Sequence, residues 1–166
     1  MSKNLEVIQK ISKVLGIICK VLFIMTLVGA VMSLAALVFM FVSSGNADLV
    51  AKIESNGKYT VGQITGFCII GVVVCITHLI VLKAHRNYFL MEQEAGTPFT
   101  TEGAKAFRTL GIMNIVAPLV STIASSIIAS VCKIGDNFHS EASIGMGVAM
   151  IFLSFVLAYG AELEKK

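Results

Sequence analysis

The sequence predicts an all-α integral membrane protein with four transmembrane helices. Of its 166 residues, 56% are apolar and only 14% are charged, whereas soluble domains carry about 25% charged residues. A water-soluble protein of this size would need more charge to cover its surface. Four apolar runs have about the 20 residues that a helix needs to cross a bilayer. None alternates with period two, which favours helices over a membrane barrel.

The predicted spans follow one another through short connections, so we expect a single membrane domain over residues 1–166. The first span is too long to be the apolar core of a cleavable signal peptide, and it contains one charge, Lys20. The other three contain no Asp, Glu, Lys or Arg. The four spans are 15–42, 61–82, 110–131 and 142–161.

The distribution of basic residues predicts the orientation, because cytoplasmic flanks of membrane helices are enriched in Lys and Arg. These residues concentrate in the N-terminal flank, the loop between the second and third spans, and the tail. Both termini and the middle loop are therefore expected in the cytoplasm, and the net charge of +3 does not indicate nucleic-acid binding. The cytoplasmic set is Lys3, Lys10, Lys13, Lys83, Arg86, Lys105, Arg108, Lys165 and Lys166, against Lys52, Lys58 and Lys133 outside.

The middle loop is predicted to consist of two helical extensions joined by a tight corner. Residues 83–95 are good helix formers, and Gly96 followed by Pro98 is a helix stop signal. Thr100 or Thr101 can cap the next helix. The second and third helices are thus expected to extend into the cytoplasm.

Two further segments outside the spans are predicted to be helical. The N-terminal segment has apolar residues at helical spacing, and it either continues into the first span or lies on the inner leaflet. In the first outer loop, Asp48 is expected to cap a short helix. His139, in the last loop, is expected to be solvated.

Three polar residues inside the spans call for an explanation: Lys20, His78 and Asn114. Each lies four or five residues from the predicted cytoplasmic end of its span. One hypothesis is a hydrogen-bonded layer that receives a ligand or switches the bundle, with His78 able to change charge near neutral pH. The alternative is that Lys20 extends to the headgroups while the other two bond to neighbouring helices.

The sequence favours no enzyme, metal or cofactor chemistry. No Asp or Glu lies inside a span, which disfavours ion-coupled transporters. No paired nucleophile and base, phosphate loop or zinc spacing is present. Cys68, Cys75, His78 and His85 lie along one helix, so their side chains do not converge on one ion.

Small residues at four-residue spacing predict close helix contacts. Gly62 and Gly66 form one such pair. Ser126 and Ser130 belong to a stripe on the third span, and an adjacent stripe contains Ser121, Ser125 and Ala129. These small residues favour close helix packing within one bundle. The alternative is that they mediate contacts between copies in a homo-oligomer.

The corner has the most distinctive sequence, G-T-P-F-T-T-E from Gly96 to Glu102, followed by A-F-R-T-L-G-I from Ala106. With Y-G-A-E-L from Tyr159, it resembles an uncharacterised family of small bacterial four-helix membrane proteins, known only as a domain of unknown function. The resemblance implies four spans and a location in the bacterial inner membrane. It also implies genes that often neighbour a small helix-turn-helix regulator.

From these features we expect a membrane-bound regulatory or accessory protein that acts through the corner. Its partner is expected to be a cytoplasmic regulator or another membrane protein, contacted by Pro98, Phe99, Glu102 and Arg108. The alternative is a small oligomeric pore, exporter or immunity-type membrane protein.

Overall fold

The computed structural model describes residues 3–135 and 144–163, and all of its regular structure there is helical. Four of the helices are long and apolar enough to cross a membrane, which confirms the all-α class with four helices of membrane-spanning length and indicates a multi-pass membrane protein. The first two residues of the predicted fourth span, His139 and the tail from Glu164 lie outside the described residues. The helices are α1 (Lys3–Ser44), α2 (Ala47–Asn56), α3 (Val61–Ala95), α4 (Thr101–Val131) and α5 (Ile144–Leu163).

The N-terminal segment belongs to the first membrane helix. α1 runs without interruption for 42 residues, or about 63 Å at 1.5 Å per residue. Of the two arrangements open to this segment, the structure therefore has the continuous helix. The side of α1 that is buried contains Ser12 and Cys19, whereas Ile11 and Leu15 of the predicted apolar spacing are exposed.

The N-cap of the short helix α2 lies two residues earlier than predicted. Asn46, rather than Asp48, is the N-cap, and its side-chain oxygen accepts from the backbone N–H groups of Asp48 (3.1 Å) and Leu49 (3.4 Å). An N-cap side chain must reach the second or third N–H of its helix. Asp48 lies in the first turn instead, where its charge favours the positive end of the helix dipole.

The long helices pack in the order α1, α3, α4, α5. In the described part of the chain, α1 packs against α3, α3 against α4, and α4 against α5, while α1 does not pack directly against α4 or α5. Gly29 of α1 lies beside Cys75 of α3. Gly111 of α4 and Gly147 of α5 come so close that a Cβ on Gly111 would lie 2.8 Å from the carbonyl oxygen of Gly147. Small residues thus bring neighbouring helices together.

α5 lies beside the N-terminal half of α4. A Cβ on Gly147 would contact Ile115, and one on Gly160 would lie 2.5 Å from the ring of Phe99, in the corner. The described part of α5 begins at Ile144, about one turn beyond the level of Ile115. The apolar runs of α4 and α5 are therefore offset by about ten residues, or about 15 Å.

Candidate functional site

The corner that joins α3 and α4 is built by local capping. Gly96 ends α3 in the left-handed conformation (φ +72°), and its N–H donates to the carbonyl of Glu92 at 3.1 Å. Glycine suits this position because it has no Cβ to strain there. Thr100, rather than Thr101, caps α4 and accepts from the Gly103 N–H at 2.8 Å. The chain therefore reverses over residues 96–100.

Helix α1 braces the corner from one side. The Gln9 side-chain amide donates to the Gly96 carbonyl at 3.5 Å, and that of Gln93 donates to the Ser12 carbonyl at 3.2 Å. A Cβ on Gly16 would lie 3.4 Å from the Gln93 amide nitrogen. The N-terminal part of α1 is thus joined to the end of α3 by two side chain-to-backbone hydrogen bonds.

Helix α5 braces the corner through Phe99. The phenyl ring covers Gly160, and a Cβ there would also lie 3.0 Å from the ring's Cε1. About 36% of Phe99 stays exposed. Pro98 lines a groove of about 220 Å³ together with Glu92 and Leu153. Phe99 therefore packs within the chain while keeping one side of its ring accessible.

Arg108 also contacts α5, farther along α4 from the corner than Phe99 does. Its Nε donates to the Ser154 hydroxyl at 3.3 Å, and its Cζ lies 4.3 Å from the centroid of the Phe155 ring. Ser154 is fully buried and donates to the Ile151 carbonyl at 2.6 Å. The guanidinium is thus engaged by a hydrogen bond and a cation–π contact. Glu102, by contrast, is exposed in the first turn of α4.

Tyr88 lies at the centre of this end of the molecule. It is buried with Leu110 of α4 and Met150 of α5, and its ring centroid lies 5.2 Å from that of Phe107. Three helices thus share one apolar cluster between the corner and Asn114.

The structure joins Asn114 to His85. The Asn114 side-chain nitrogen lies 3.3 Å from Nε2 of His85 and 2.9 Å from the Leu110 carbonyl oxygen. His85 Nδ1 lies 2.9 Å from the Val81 carbonyl oxygen. A carbonyl only accepts, so Nδ1 carries the proton and Nε2 accepts from Asn114. This pair links α3 and α4 beside Met150, whose sulfur lies 3.6 Å from the Asn114 nitrogen.

The other two residues of the predicted polar layer are placed differently. His78 is exposed, and its Nδ1 lies 2.9 Å from the Val74 carbonyl oxygen of its own helix. It lies seven residues, or about 10 Å, along α3 from His85. Lys20 is exposed on α1. The structure therefore does not bring Lys20, His78 and Asn114 into one hydrogen-bonded group.

The predicted packing residues divide into buried and exposed sets. Gly66 is buried, and a Cβ there would lie 2.7 Å from Cβ of Cys132. Gly62, Ser126 and Ser130 are exposed. The adjacent stripe is buried on α4: Ser121, Ser125 and Ala129.

Three contacts between helices at this end of the molecule had little or no sequence signal. His85, Ser154 and Phe155 each depend on which residues of neighbouring helices stand at the same height. His85 falls seven residues after His78, on the same side of α3, and that spacing is the one signal that would have included it. Ser154 and Phe155 lie in a continuous apolar run and had none.

The described residues contain no group of three His, Cys, Asp or Glu side chains that could hold a metal ion. Comparisons with family models, curated proteins and solved structures gave no match to this chain. The resemblance in the corner sequence therefore stays a prediction.

Proposed function

We propose that the chain is a regulatory or accessory protein of the bacterial inner membrane that acts on a protein partner through the α3–α4 corner. The observation that carries this proposal is the double bracing of the corner. Gln9 holds the Gly96 carbonyl from α1, and α5 receives the Phe99 ring on Gly160. A corner fixed from both sides presents its exposed atoms in one arrangement, which lowers the ordering cost of binding.

The proposed orientation puts the corner and both termini in the cytoplasm. Lys10, Lys13 and Lys105 are exposed close to the corner, and Lys83 and Arg86 are exposed on α3 between its predicted span and the corner. Fewer basic residues occupy the α2 end. This asymmetry matches the distribution that directs membrane proteins during insertion.

The proposed depth puts the corner at the membrane surface. α3 has 35 residues and is about 52 Å long, while a bilayer with its headgroups is about 40–45 Å thick. A tilted α3 therefore reaches from one headgroup layer to the other, so the proposed depth differs from the predicted extension of α3 and α4 into the cytoplasm. The exposed Phe155 and Tyr159 of α5 would then lie in the inner leaflet and its interface, which suits aromatic side chains.

Pro98, Phe99 and Glu102 form the proposed contact surface for the partner. Glu102 is exposed, the Phe99 ring is partly exposed, and Pro98 lines the adjoining groove. Arg108 contributes by positioning α5, since its guanidinium is engaged by Ser154 and Phe155. The partner is a cytoplasmic regulator or another membrane protein.

A second candidate function is a small oligomeric pore, exporter or immunity-type protein. The exposed stripe on α4, with Ser126 and Ser130, favours it, because small residues let helices of two copies approach closely. This candidate predicts a stable oligomer and substrate-dependent flux in liposomes.

Site-specific photo-crosslinking in cells tests the first candidate. A photoreactive amino acid replaces Glu94, which is exposed at the end of α3, and the matched control replaces Lys58 near α2. We expect one protein, identified by mass spectrometry, to crosslink from position 94 alone. Glu102→Arg in the same chain should weaken that crosslink at least several-fold. Identical products from both positions, or a crosslink that Glu102→Arg leaves unchanged, would contradict the proposal.

A further inference from the structure

The groove beside Pro98, of about 220 Å³, is lined by three helices at the corner end of the molecule. Tyr88 and Glu92 line it from α3, and Phe107 lines it from α4. Its wall on α5 is entirely apolar and consists of Leu153, Val156 and Leu157. The groove therefore combines one carboxylate with two aromatic side chains and an aliphatic wall.

Glu92 gives this groove a negative charge that its lining does not balance. The lining residues include no Lys, Arg or His. Glu92 is partly buried, and no hydrogen bond or ion pair joins its carboxylate to the residues that the structure describes. It also lies in the last turn of α3, which contains no basic residue, and the negative end of a helix dipole favours cations there. The groove therefore favours a cationic occupant.

The rest of the lining favours an organic cation over a metal ion. Calcium and magnesium need several oxygen ligands, whereas the only carboxylate in the lining is that of Glu92. The rings of Tyr88 and Phe107 have centroids 5.2 Å apart, and aromatic rings attract ammonium groups. Leu153 and Val156 are about half exposed (49% and 50%), so they offer contact to an apolar group.

We propose that this groove binds a lipophilic organic cation, which is an ammonium group attached to an apolar body. The cationic group lies beside Glu92, and the apolar body covers Phe107 and the α5 wall. A phospholipid amine fits less well, because its phosphate would lie close to Glu92 with no basic lining residue to receive it. In the proposed orientation the groove lies at the inner membrane surface, whose negative potential attracts cations.

Equilibrium dialysis of the purified full chain in a neutral detergent tests the charge of the ligand. The probes are tetraphenylphosphonium and tetraphenylborate, which have the same shape and opposite charges. We expect saturable binding of the cation alone. Glu92→Gln should lower its affinity about fivefold, as for the loss of one partly exposed charge pair. Glu94→Gln is the matched control, because Glu94 is exposed and two residues turn it about 200° away around α3.

Filling the groove tests the apolar contact independently. Leu157→Trp should also weaken tetraphenylphosphonium binding, whereas Phe152→Trp should not, because Phe152 is exposed on α5 outside the groove. Unchanged binding in Glu92→Gln, or an equal loss in Glu94→Gln, would overturn the proposal. So would displacement of the bound cation by phosphatidylethanolamine, because the groove would then belong to a lipid.

This proposal and the proposed function can fail separately, because cation binding by the purified chain needs no partner. If Glu92→Gln abolished the crosslink from position 94 and left tetraphenylphosphonium binding unchanged, the groove would belong to the protein partner instead. That result would overturn the cation site and support the proposed function.

Discussion

The two ends of the helix row differ in how their helices are held together. At the corner end, α1, α3, α4 and α5 meet, and polar side chains bridge each neighbouring pair: Gln93 to Ser12, Asn114 to His85, and Arg108 to Ser154. At the α2 end, the described link between α3 and α4 is a hydrogen bond from the Gln63 side chain to the Lys133 carbonyl, at 2.9 Å.

This difference between the two ends distinguishes contacts that assemble the helices from contacts that also fix the shape of an exposed surface. Close packing through glycine would suffice to assemble four apolar helices. The additional polar bridges at the corner end fix helix rotation and height as well, since each hydrogen bond tolerates little displacement. We attribute that additional order to the corner's proposed role.

The largest effect is expected where α4 and α5 touch. Gly147→Ala would place a Cβ against Ile115 and 2.7 Å from the Gly111 carbonyl oxygen. Because backbone lies on one side, the helices must separate, and we expect a loss of about 2–3 kcal/mol in unfolding free energy. Thermal unfolding in detergent measures this. Gly145→Ala is the control, since a Cβ there meets nothing within 4 Å among the residues that the structure describes, and equal effects at both sites would refute the α4–α5 contact.

A smaller effect is expected within the Gly62 and Gly66 pair at the α2 end. Gly66→Ala would place a Cβ 2.7 Å from Cβ of Cys132 and 2.8 Å from Cδ1 of Ile134. The Cβ of Cys132 moves only with the backbone, but Cys132 and Ile134 follow the last residue of α4, where the chain can shift without separating two helices, so we expect a loss of about 1 kcal/mol. Gly62→Ala should be neutral or stabilising, because the site is open and alanine favours helix. If Gly66→Ala lowered the unfolding free energy more than Gly147→Ala, the helices would be packed more tightly at the α2 end than at the corner end, contrary to this account.

The Arg108 contact with Phe155 should contribute about 0.5–1 kcal/mol, as cation–π pairs do at partly exposed sites. A double-mutant cycle with Arg108→Gln and Phe155→Leu isolates that coupling from the separate effects of each change. The same cycle built from Arg86→Gln and Phe155→Leu should give none. A coupling near zero for both pairs would show that Arg108 does not position α5.

The smallest expected effect is the difference in unfolding free energy between substitutions of His85 and of His78, both on α3. His85→Leu removes the acceptor for Asn114 and should cost about 0.6 kcal/mol, the average for hydrogen bonds between membrane helices. His78→Leu should cost less than this, since His78 is exposed and its described hydrogen bond lies within α3. Chemical unfolding of both variants in the same detergent compares them. A larger loss of unfolding free energy for His78→Leu would contradict this and support the predicted hydrogen-bonded layer that includes His78.

The corner could be predicted from sequence because its signals are local. A glycine that ends a helix and a threonine that caps the next act on backbone groups within four residues. Gly96 and Thr100 therefore stand where such signals place them. The long apolar runs likewise predict helices of membrane-spanning length without reference to any neighbour.

The contacts between helices could not be predicted from the sequence, for a physical reason. Apolar length determines that a helix can span, but not the height at which it packs, so the offset of α5 had no sequence signal. Depth along α3 alone favours His78 as the partner of Asn114, whereas the height at which α4 packs against α3 places His85 there. Similarly, the two small-residue stripes on α4 differ only in which of them faces other helices, and the Ser121, Ser125 and Ala129 stripe is the buried one.

The most direct test of the account is the side of the membrane on which each end lies. Single cysteines would replace Glu102 at the corner and Lys58 near α2, in a chain whose four native cysteines are changed to serine or alanine. A membrane-impermeant thiol reagent is added to right-side-out and to inverted membrane vesicles. The account predicts labelling of position 102 in inverted vesicles only and of position 58 in right-side-out vesicles only. The reverse pattern would contradict it.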